Sequence, residues 1–381
     1  MKRIFIAFIT LSVCVCTITA KPKDVKKACT LTPASDGRIT FVGRTSVNGD
    51  NVSFDWSGVY ARIDFNGKYV ALKAGDTRKD YFNVWLDTPT DSKPDKVIRI
   101  SSADTTIILF DKADFIAKYG KADRKGTQRH EVIIQKRTEG EQGTATFKSI
   151  ITEGSVLQAA KLKKRQIEFI GDSYTCGYGT EAHSGEHFTP ETENVNYSYA
   201  PIVSRYFDAD YYIVAHSGMG IARNYNDNVK GYYMPDRYLH TFDTKTDCKW
   251  NADSAAFKPS ITVILLGTND FSTSRQPSLK SFAGNYIKLI KEIKENYGAD
   301  YPVLCLKARG DDVLFEYVRT ACEKCGMENV HYMGYGDAVY SSQELGADSH
   351  PNYYAQRKTA MGAIPYISTL TGWTIKDSTV K

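Results

Sequence analysis

The sequence predicts two unlike domains in tandem: an antiparallel β-sandwich of the jelly-roll kind, then a three-layer α/β/α domain built on a parallel sheet. Three observations carry this. The first half of the chain consists of short runs in which apolar and β-branched residues alternate with polar ones, punctuated by Asn-Gly turns. The second half changes to continuous apolar runs ending in glycine, as suits parallel strands covered on both faces, with helical periodicity between them. A length of 381 residues also exceeds what one ordinary core accommodates.

The elements follow in order. Residues 1–20 read as an export signal, because Lys2 and Arg3 precede the apolar run "IFIAFITLSVCVCTITA", too short and wrongly flanked for a membrane span; cleavage is expected after Ala20. Cys14 and Cys16 raise a lipoprotein signal as the alternative, but Val13 and Val15 stand where a small residue is required. The sandwich is expected over residues 30–155, in runs such as "VYARIDFNGKYVALKA", "YFNVWLD", "TTIILF", "HEVIIQKR" and "ATFKSIIT". After the charged connector "KLKKR", the second domain is expected over residues 165–376. Its strands are "QIEFIG", "ITVILLG", "YPVLCLKA" and "NVHYMGYG". Helices are read in "DVLFEYVRTACEKCG" and in "SLKSFAGNYIKLIKEIKENYG", where Phe282, Tyr286, Leu289, Ile290 and Ile293 recur at three- and four-residue spacing.

Composition narrows the partners. Hydrophobic residues make up 42% and charged residues 24% of the chain, and the net charge of +5 is spread without a basic block beyond "KLKKR". This gives no footing for nucleic acid. Export would place the later cysteines in an oxidising compartment. Cys322-Glu-Lys-Cys325 has metal or redox spacing, but no second pair accompanies it; structural thiols or one or two disulfides are expected rather than zinc.

The stretch "FIGDSYTCGYGTE" sets Ser173 where an apolar strand runs into a small-residue turn. Two readings stand: a nucleophile presented at a strand end, or a βα turn that needs small residues. Ligands of open parallel sheets sit beyond the carboxyl ends of the strands, and Asn269 and Asp270 of "LLGTND" end a second one. A serine hydroxyl attacks only when a base takes its proton and donors receive the oxyanion. Among the histidines, His130 lies in the sandwich, His331 in a strand pattern, and His183, His187 and His240 in loops. His350 stands apart in "GADSHPN", a polar loop before a helix, where Pro351 restrains the backbone. The glycines of "AHSGMGIARNY" can bring a backbone N–H to a substrate oxygen, and Asn269 offers an amide.

In this order, Gly-Asp-Ser, a glycine loop, Gly-Thr-Asn-Asp and Asp-x-His-Pro, the second domain resembles the SGNH hydrolases. With the sandwich in front, and with "RQIEFIGDSYTCGYGTE", "SGMGIARNY" and "LLGTNDFS", the chain looks like the family 2 carbohydrate esterases. Those enzymes join a small jelly roll to an SGNH domain and remove acetyl groups from plant polysaccharides. The resemblance implies Ser173 as nucleophile and, through its own N–H, one oxyanion donor. It implies Gly218 as the backbone donor with Gly220 the alternative, Asn269 as the side-chain donor, and His350 as general base. The position three before the histidine is Ala347, and the nearest carboxylate is Asp348. Asp348 is therefore expected as the third member, with a Ser-His dyad oriented by a backbone carbonyl as the alternative. Ser349 stands where the family often has tryptophan. Tyr178, Tyr225 and Phe271, with Tyr232 and Tyr233, are the aromatics placed to stack on sugar rings, although 25 tyrosines make packing the competing explanation.

The implied activity is that of an exported esterase releasing O-acetyl groups from a xylan- or mannan-type polysaccharide or oligosaccharide through an acetyl-serine. It calls for no metal, organic cofactor or membrane span. The alternatives are an esterase of lipids or other small acyl esters, and a glycan-binding protein that has lost turnover.

Overall fold

Among the described residues, the strands of the first half of the chain pair antiparallel and those of the second half parallel. The structure, a computed structural model, describes residues 29–120, 126–228, 230–307, 312–333, 341–376 and 378–381. The expected export segment lies outside the described residues. The first domain contains β1 (Thr30–Pro33), β2 (Thr40–Val42), β3 (Ser46–Asn48), β4 (Asn51–Phe54), β5 (Tyr60–Phe65), β6 (Val70–Asp76), β7 (Asp80–Leu86), β8 (Lys96–Ile100) and β9 (Thr105–Phe110). Helix α1 (Lys112–Tyr119), β10 (His130–Lys136), β11 (Ala145–Thr152) and β12 (Val156–Leu157) complete it.

One sheet runs β3-β4-β11-β6-β9 with β1 beside β11; the other runs β12-β5-β10-β7-β8 with β2 beside β5. The period-two pattern explains the core. Along β4, Val52 and Phe54 are buried while Asn51 and Ser53 are not, and Phe54 and Phe147 of one sheet meet Phe82 of the other at 6.5 and 5.7 Å between ring centroids. Helix α1 is an addition to the β pattern read from the sequence. Asp111 accepts the N–H groups of Ala113 and Asp114, Asp114 returns the bond to Asp111, and Phe115 is buried.

The second domain contains β13 (Gln166–Gly171), α2 (Ser173–Cys176), α3 (Tyr199–Tyr206), β14 (Asp210–Ala215), α4 (Met234–Tyr238), β15 (Ile261–Leu265), α5 (Leu279–Tyr297), β16 (Val303–Leu306), α6 (Asp312–Lys324), β17 (Val330–Met333) and α7 (Tyr353–Thr371). Its sheet is ordered β14-β13-β15-β16-β17, all parallel. The chain moves outward from β13 to β14 and then back past it to β15. Right-handed crossovers in opposite directions put α3 and α5 on opposite faces, which gives three layers. The reversal makes a switch point between β13 and β15, and their carboxyl ends open there.

The domains share a buried polar interface. Arg44 of the sandwich is fully buried against the second domain, donating to the His240 carbonyl at 2.8 Å and facing Glu168 of β13 at 3.4 Å. Glu168 also accepts from Thr262 and Tyr297, so the buried charge is matched. Tyr60 donates to Asp210 at 2.8 Å and Trp56 to the Thr241 carbonyl at 2.9 Å. All six described cysteines are free thiols, three of them buried, and no disulfide forms among them. Among the described residues no helix is long and apolar enough to cross a membrane.

Candidate active site

Strand β13 delivers Ser173 through a tight turn. A Cβ on Gly171 would meet Thr175 Oγ1 at 1.9 Å, so only glycine allows the helix to start so close to the strand end. Asp172 caps α2 by accepting the Tyr174 N–H at 3.1 Å. Ser173 therefore occupies the first helical position, whose N–H has no acceptor within the helix.

Ser173 Oγ lies 2.9 Å from His350 Nε2, across 177 residues of sequence. Both line a cavity of about 410 Å³ together with Tyr174, Tyr225, Asn269 and Phe271. The imidazole packs over Tyr178, with centroids 4.2 Å apart, and edge-on to Tyr174. Burial lowers its pKa below the usual value, so the neutral ring, able to accept a proton, prevails near pH 7.

The expectation for Asp348 needs correcting. Its carboxylate accepts from Tyr178 Oη at 2.9 Å, His187 Nδ1 at 2.8 Å and the Phe188 N–H at 3.0 Å, and does not bond the imidazole. The bond from His187 leads these in holding the carboxylate below its usual pKa. Asp348 and Ser349 sit at φ of +47° and +63°, which turns the Asp348 side chain away from the ring. The ring's Nδ1 has no well-formed hydrogen bond among the described residues; the carbonyls of Asp348 and Ala347 lie nearest and favour the protonated ring. A carboxylate at position 347 has no room. Ala347 is fully buried, and a Cβ on Gly179 would come within 2.3 Å of its Cβ.

The structure separates the two candidate glycines. The Gly220 N–H is bonded to Asn224 Oδ1 at 2.9 Å, and a Cβ there would meet the Arg223 carbonyl at 2.0 Å; Gly220 shapes the loop. Gly218, at φ +76°, has a free N–H among the described residues, as does Ser173. Gly218 lines an adjoining cleft of about 560 Å³ between the domains, and its carbonyl accepts at 2.8 Å the N–H of Tyr225, which lines the Ser173 cavity. Asn269 reaches the cavity, but its Nδ2 is engaged by the Met219 carbonyl at 2.9 Å and by Asp172 at 3.2 Å. Burial pushes the Asp172 carboxyl up to about 7.

The aromatic expectations divide. Tyr225, 53% exposed, and Phe271 face the cavity. Tyr178 is spent elsewhere, stacked between His350 and Phe188, because its hydroxyl is drawn to Asp348. Tyr232 lines the adjoining cleft.

Three features went unread in the sequence. Tyr174 walls His350, and Thr268 lines the cavity with a hydroxyl that has no partner among the described residues. His216, two before Gly218 and at the end of β14, has the same strand-end position as Ser173, which was the available signal. Its Nδ1 bonds Asp243 at 2.9 Å, and its Nε2 lies 3.3 Å from Glu141. Burial opposes its charge, but Asp243 and then Glu141 outweigh it and push the pKa up to about 10. His216 is thus a cation held in an ion network, unsuited as a base. Glu139, Cys176 and Glu193 are the described residues that gather metal-binding atoms, within 4.8 Å of one another. Burial raises the pKa values of all three, and none lines the Ser173 cavity. The set does not suit an ion acting on a substrate.

Comparison with known proteins agrees with this arrangement. Residues 41–160 match the family described as Carbohydrate esterase 2 N-terminal, and residues 169–358 match the GDSL-like Lipase/Acylhydrolase family. The chain is 32% identical, over 347 residues, to the cellulase/esterase CelE of Acetivibrio thermocellus; this covers 89% of the chain and 39% of that protein. It is 31% identical to an acetylxylan esterase / glucomannan deacetylase of Cellvibrio japonicus, over 64% of the chain and 65% of that protein. The chain thus spans less than two thirds of either relative. A solved structure of a family two carbohydrate esterase from Clostridium thermocellum, in complex with cellohexaose, superposes with a TM-score of 0.78 at 28% identity, covering 88% of this chain and 100% of that one. With both domains matched in order and the serine-histidine pair at the switch point, the chain belongs to the family 2 carbohydrate esterases, with a second domain of the GDSL type.

Proposed function

We propose that the protein is an exported esterase that removes O-acetyl groups from a plant polysaccharide of the xylan or mannan type. The observation that carries the reading is the 2.9 Å approach of Ser173 Oγ to a neutral His350, with the unpaired N–H of Ser173 itself at the start of α2. Ser173 Oγ attacks the acetyl carbonyl carbon while its proton passes to His350 Nε2. The carbonyl oxygen takes the electron pair and faces the N–H groups of Ser173 and Gly218. Asn269 joins them by exchanging one of its two present acceptors for the oxyanion. Collapse breaks the bond to the sugar oxygen, which receives the proton from His350; water, deprotonated by His350, then releases acetate from the acetyl-serine. The main-chain carbonyls of Asp348 and Ala347 favour the protonated ring, as in a Ser-His dyad, and Asp348 holds the loop. Tyr225 and Phe271 offer faces to a sugar ring. The basic, apolar segment over residues 1–20 supports export, and the relatives' activities support the acetylated polymer.

The test is acetate release from acetylated xylan and acetylated glucomannan, with a chromogenic acetyl ester as control. Release from at least one polymer is expected. Hydrolysis of the control ester alone would move the substrate to small acyl esters, and no hydrolysis of any of them would leave a binding protein.

A further inference from the structure

The carboxylate of Glu139 comes from the sandwich yet works inside the second domain. Glu139 follows β10, is 1% exposed, and accepts the main-chain N–H of Ser217 through Oε2 at 2.8 Å. The next residues continue the contact. A Cβ on Gly140 would lie 2.3 Å from Asp243 Oδ2, so the backbone packs directly on that side chain, and Glu141 reaches His216 Nε2 at 3.3 Å. Three successive residues of one domain therefore touch Ser217, Asp243 and His216 on the side that leads into Gly218. The later part of the loop has its own anchors: Asn224 takes the Gly220 N–H, and Asp270 takes those of Ile221, Ala222 and Arg223. For the residue next to Gly218, the side-chain anchor is Glu139.

We infer that Glu139 is a positioning residue for the oxyanion-binding loop. By fixing the Ser217 N–H it sets the direction of the Gly218 N–H, so the sandwich domain supplies part of the catalytic geometry. The inference rests on the esterase reading above. The need is for an acceptor at the right reach rather than for charge. Glu193 lies beside Glu139, with its Oε2 unpartnered among the described residues, and two carboxyls this close and this buried do not both ionise. A glutamine at 139 satisfies both neighbours, its carbonyl facing Ser217 and its amide facing Glu193. An aspartate keeps the carboxyl group and falls short of Ser217 by one methylene.

The experiment compares Glu139→Gln, Glu139→Asp and Tyr60→Phe in the full chain, reading kcat and KM on a chromogenic acetyl ester, thermal melting, and hydrogen exchange of the amides at 216–219. Tyr60→Phe removes the bond to Asp210 elsewhere in the same interface and serves as the structural control. Glu139→Gln is expected to keep kcat within about threefold, while Glu139→Asp lowers it by roughly ten- to a hundredfold with KM within about twofold, a fraction of what one lost oxyanion donor costs. The 216–219 amides should exchange faster in Glu139→Asp alone. Tyr60→Phe should lower the melting temperature and leave kcat unchanged. The inference is overturned if Glu139→Asp turns over like wild type, if Glu139→Gln falls as far as Glu139→Asp, or if the loss lies in KM alone. Unchanged exchange in Glu139→Asp overturns it whatever the activity. A wild-type protein inactive on every acetyl ester would instead refute the esterase reading, and the exchange measurement would still decide the positioning role.

Discussion

The loop carrying Gly218 and the loop carrying His350 are held by opposite means. The loop carrying Gly218 is pinned from below by buried carboxylates: Glu139 on Ser217, Asp243 on His216, and Asp270 on three successive N–H groups at 2.7 to 2.9 Å. The loop carrying His350 is held near the surface, by Asp348 bonding an exposed His187, by two residues at positive φ, and by the stack of Tyr178 on the imidazole. The first arrangement suits groups whose direction must not change as charge develops on an acyl oxygen. The second suits a base that must take and return a proton. The difference has an energetic side. Burial pushes Asp270 up to about 7 even as it accepts its three bonds, so the rigid loop is kept at the expense of an ionised group away from water. The His350 loop carries no such burden.

The largest expected effect removes what both loops serve. Ser173→Ala should lower acetyl-ester turnover by about 10⁴-fold or more with an unchanged melting curve, since it deletes one oxygen from a turn and no core volume. Retained turnover would sink the assignment of the nucleophile and with it the meaning of both loops.

On the Gly218 side, Asn269→Ala should cost roughly a hundredfold in kcat, with little change in KM, as for one oxyanion donor. A change in KM alone would make the amide a ground-state contact, consistent with its present bonds to Met219 and Asp172.

Stability against pH sharpens the contrast from beneath. The Asp270 carboxyl titrates higher in the folded chain than in the unfolded one, so its contribution is fully present below about pH 4 and is lost as pH rises toward 7. Asp270→Asn should remove this part of the slope, on the order of 2–4 kcal/mol between those limits by the difference between the two pKa values. Denaturant midpoints of wild type and variant that fall in parallel from pH 4.5 to 7.5 would show that Asp270 does not carry it.

The smallest effect belongs to the shallow loop. Asp348→Asn should lower kcat/KM by less than about tenfold, because an amide keeps part of the bonding to Tyr178 and Phe188 and the Asp348 carboxylate does not bond the ring; a triad aspartate would cost about 10⁴-fold. A loss of that size would mean that Asp348 swings onto Nδ1 during turnover.

What the sequence by itself determined was local. Alternation of period two and apolar runs closed by glycine specify strands of two kinds, since side-chain direction follows from backbone geometry within a few residues. The turns at Ser173, Asn269 and His350, which meet in one cavity, stood out for the same reason, each being marked by adjacent residues. The unforeseen α1 was local as well, its capping box of Asp111 and Asp114 hidden within a β texture. Only the tertiary structure decided which partners those groups have. Ser173 meets His350 across 177 residues, Asp348 finds Tyr178 across 170, and Glu139 reaches Ser217 across 78. Gly218 and Gly220 are alike in sequence and were separated by Asn224, which takes one N–H and leaves the other. A hydrogen bond depends on distance and direction to within a fraction of an ångström, and chain neighbours do not set these for residues far apart in sequence. The fold was legible because its elements are local. The wiring of the site depended on the packing of two domains against each other.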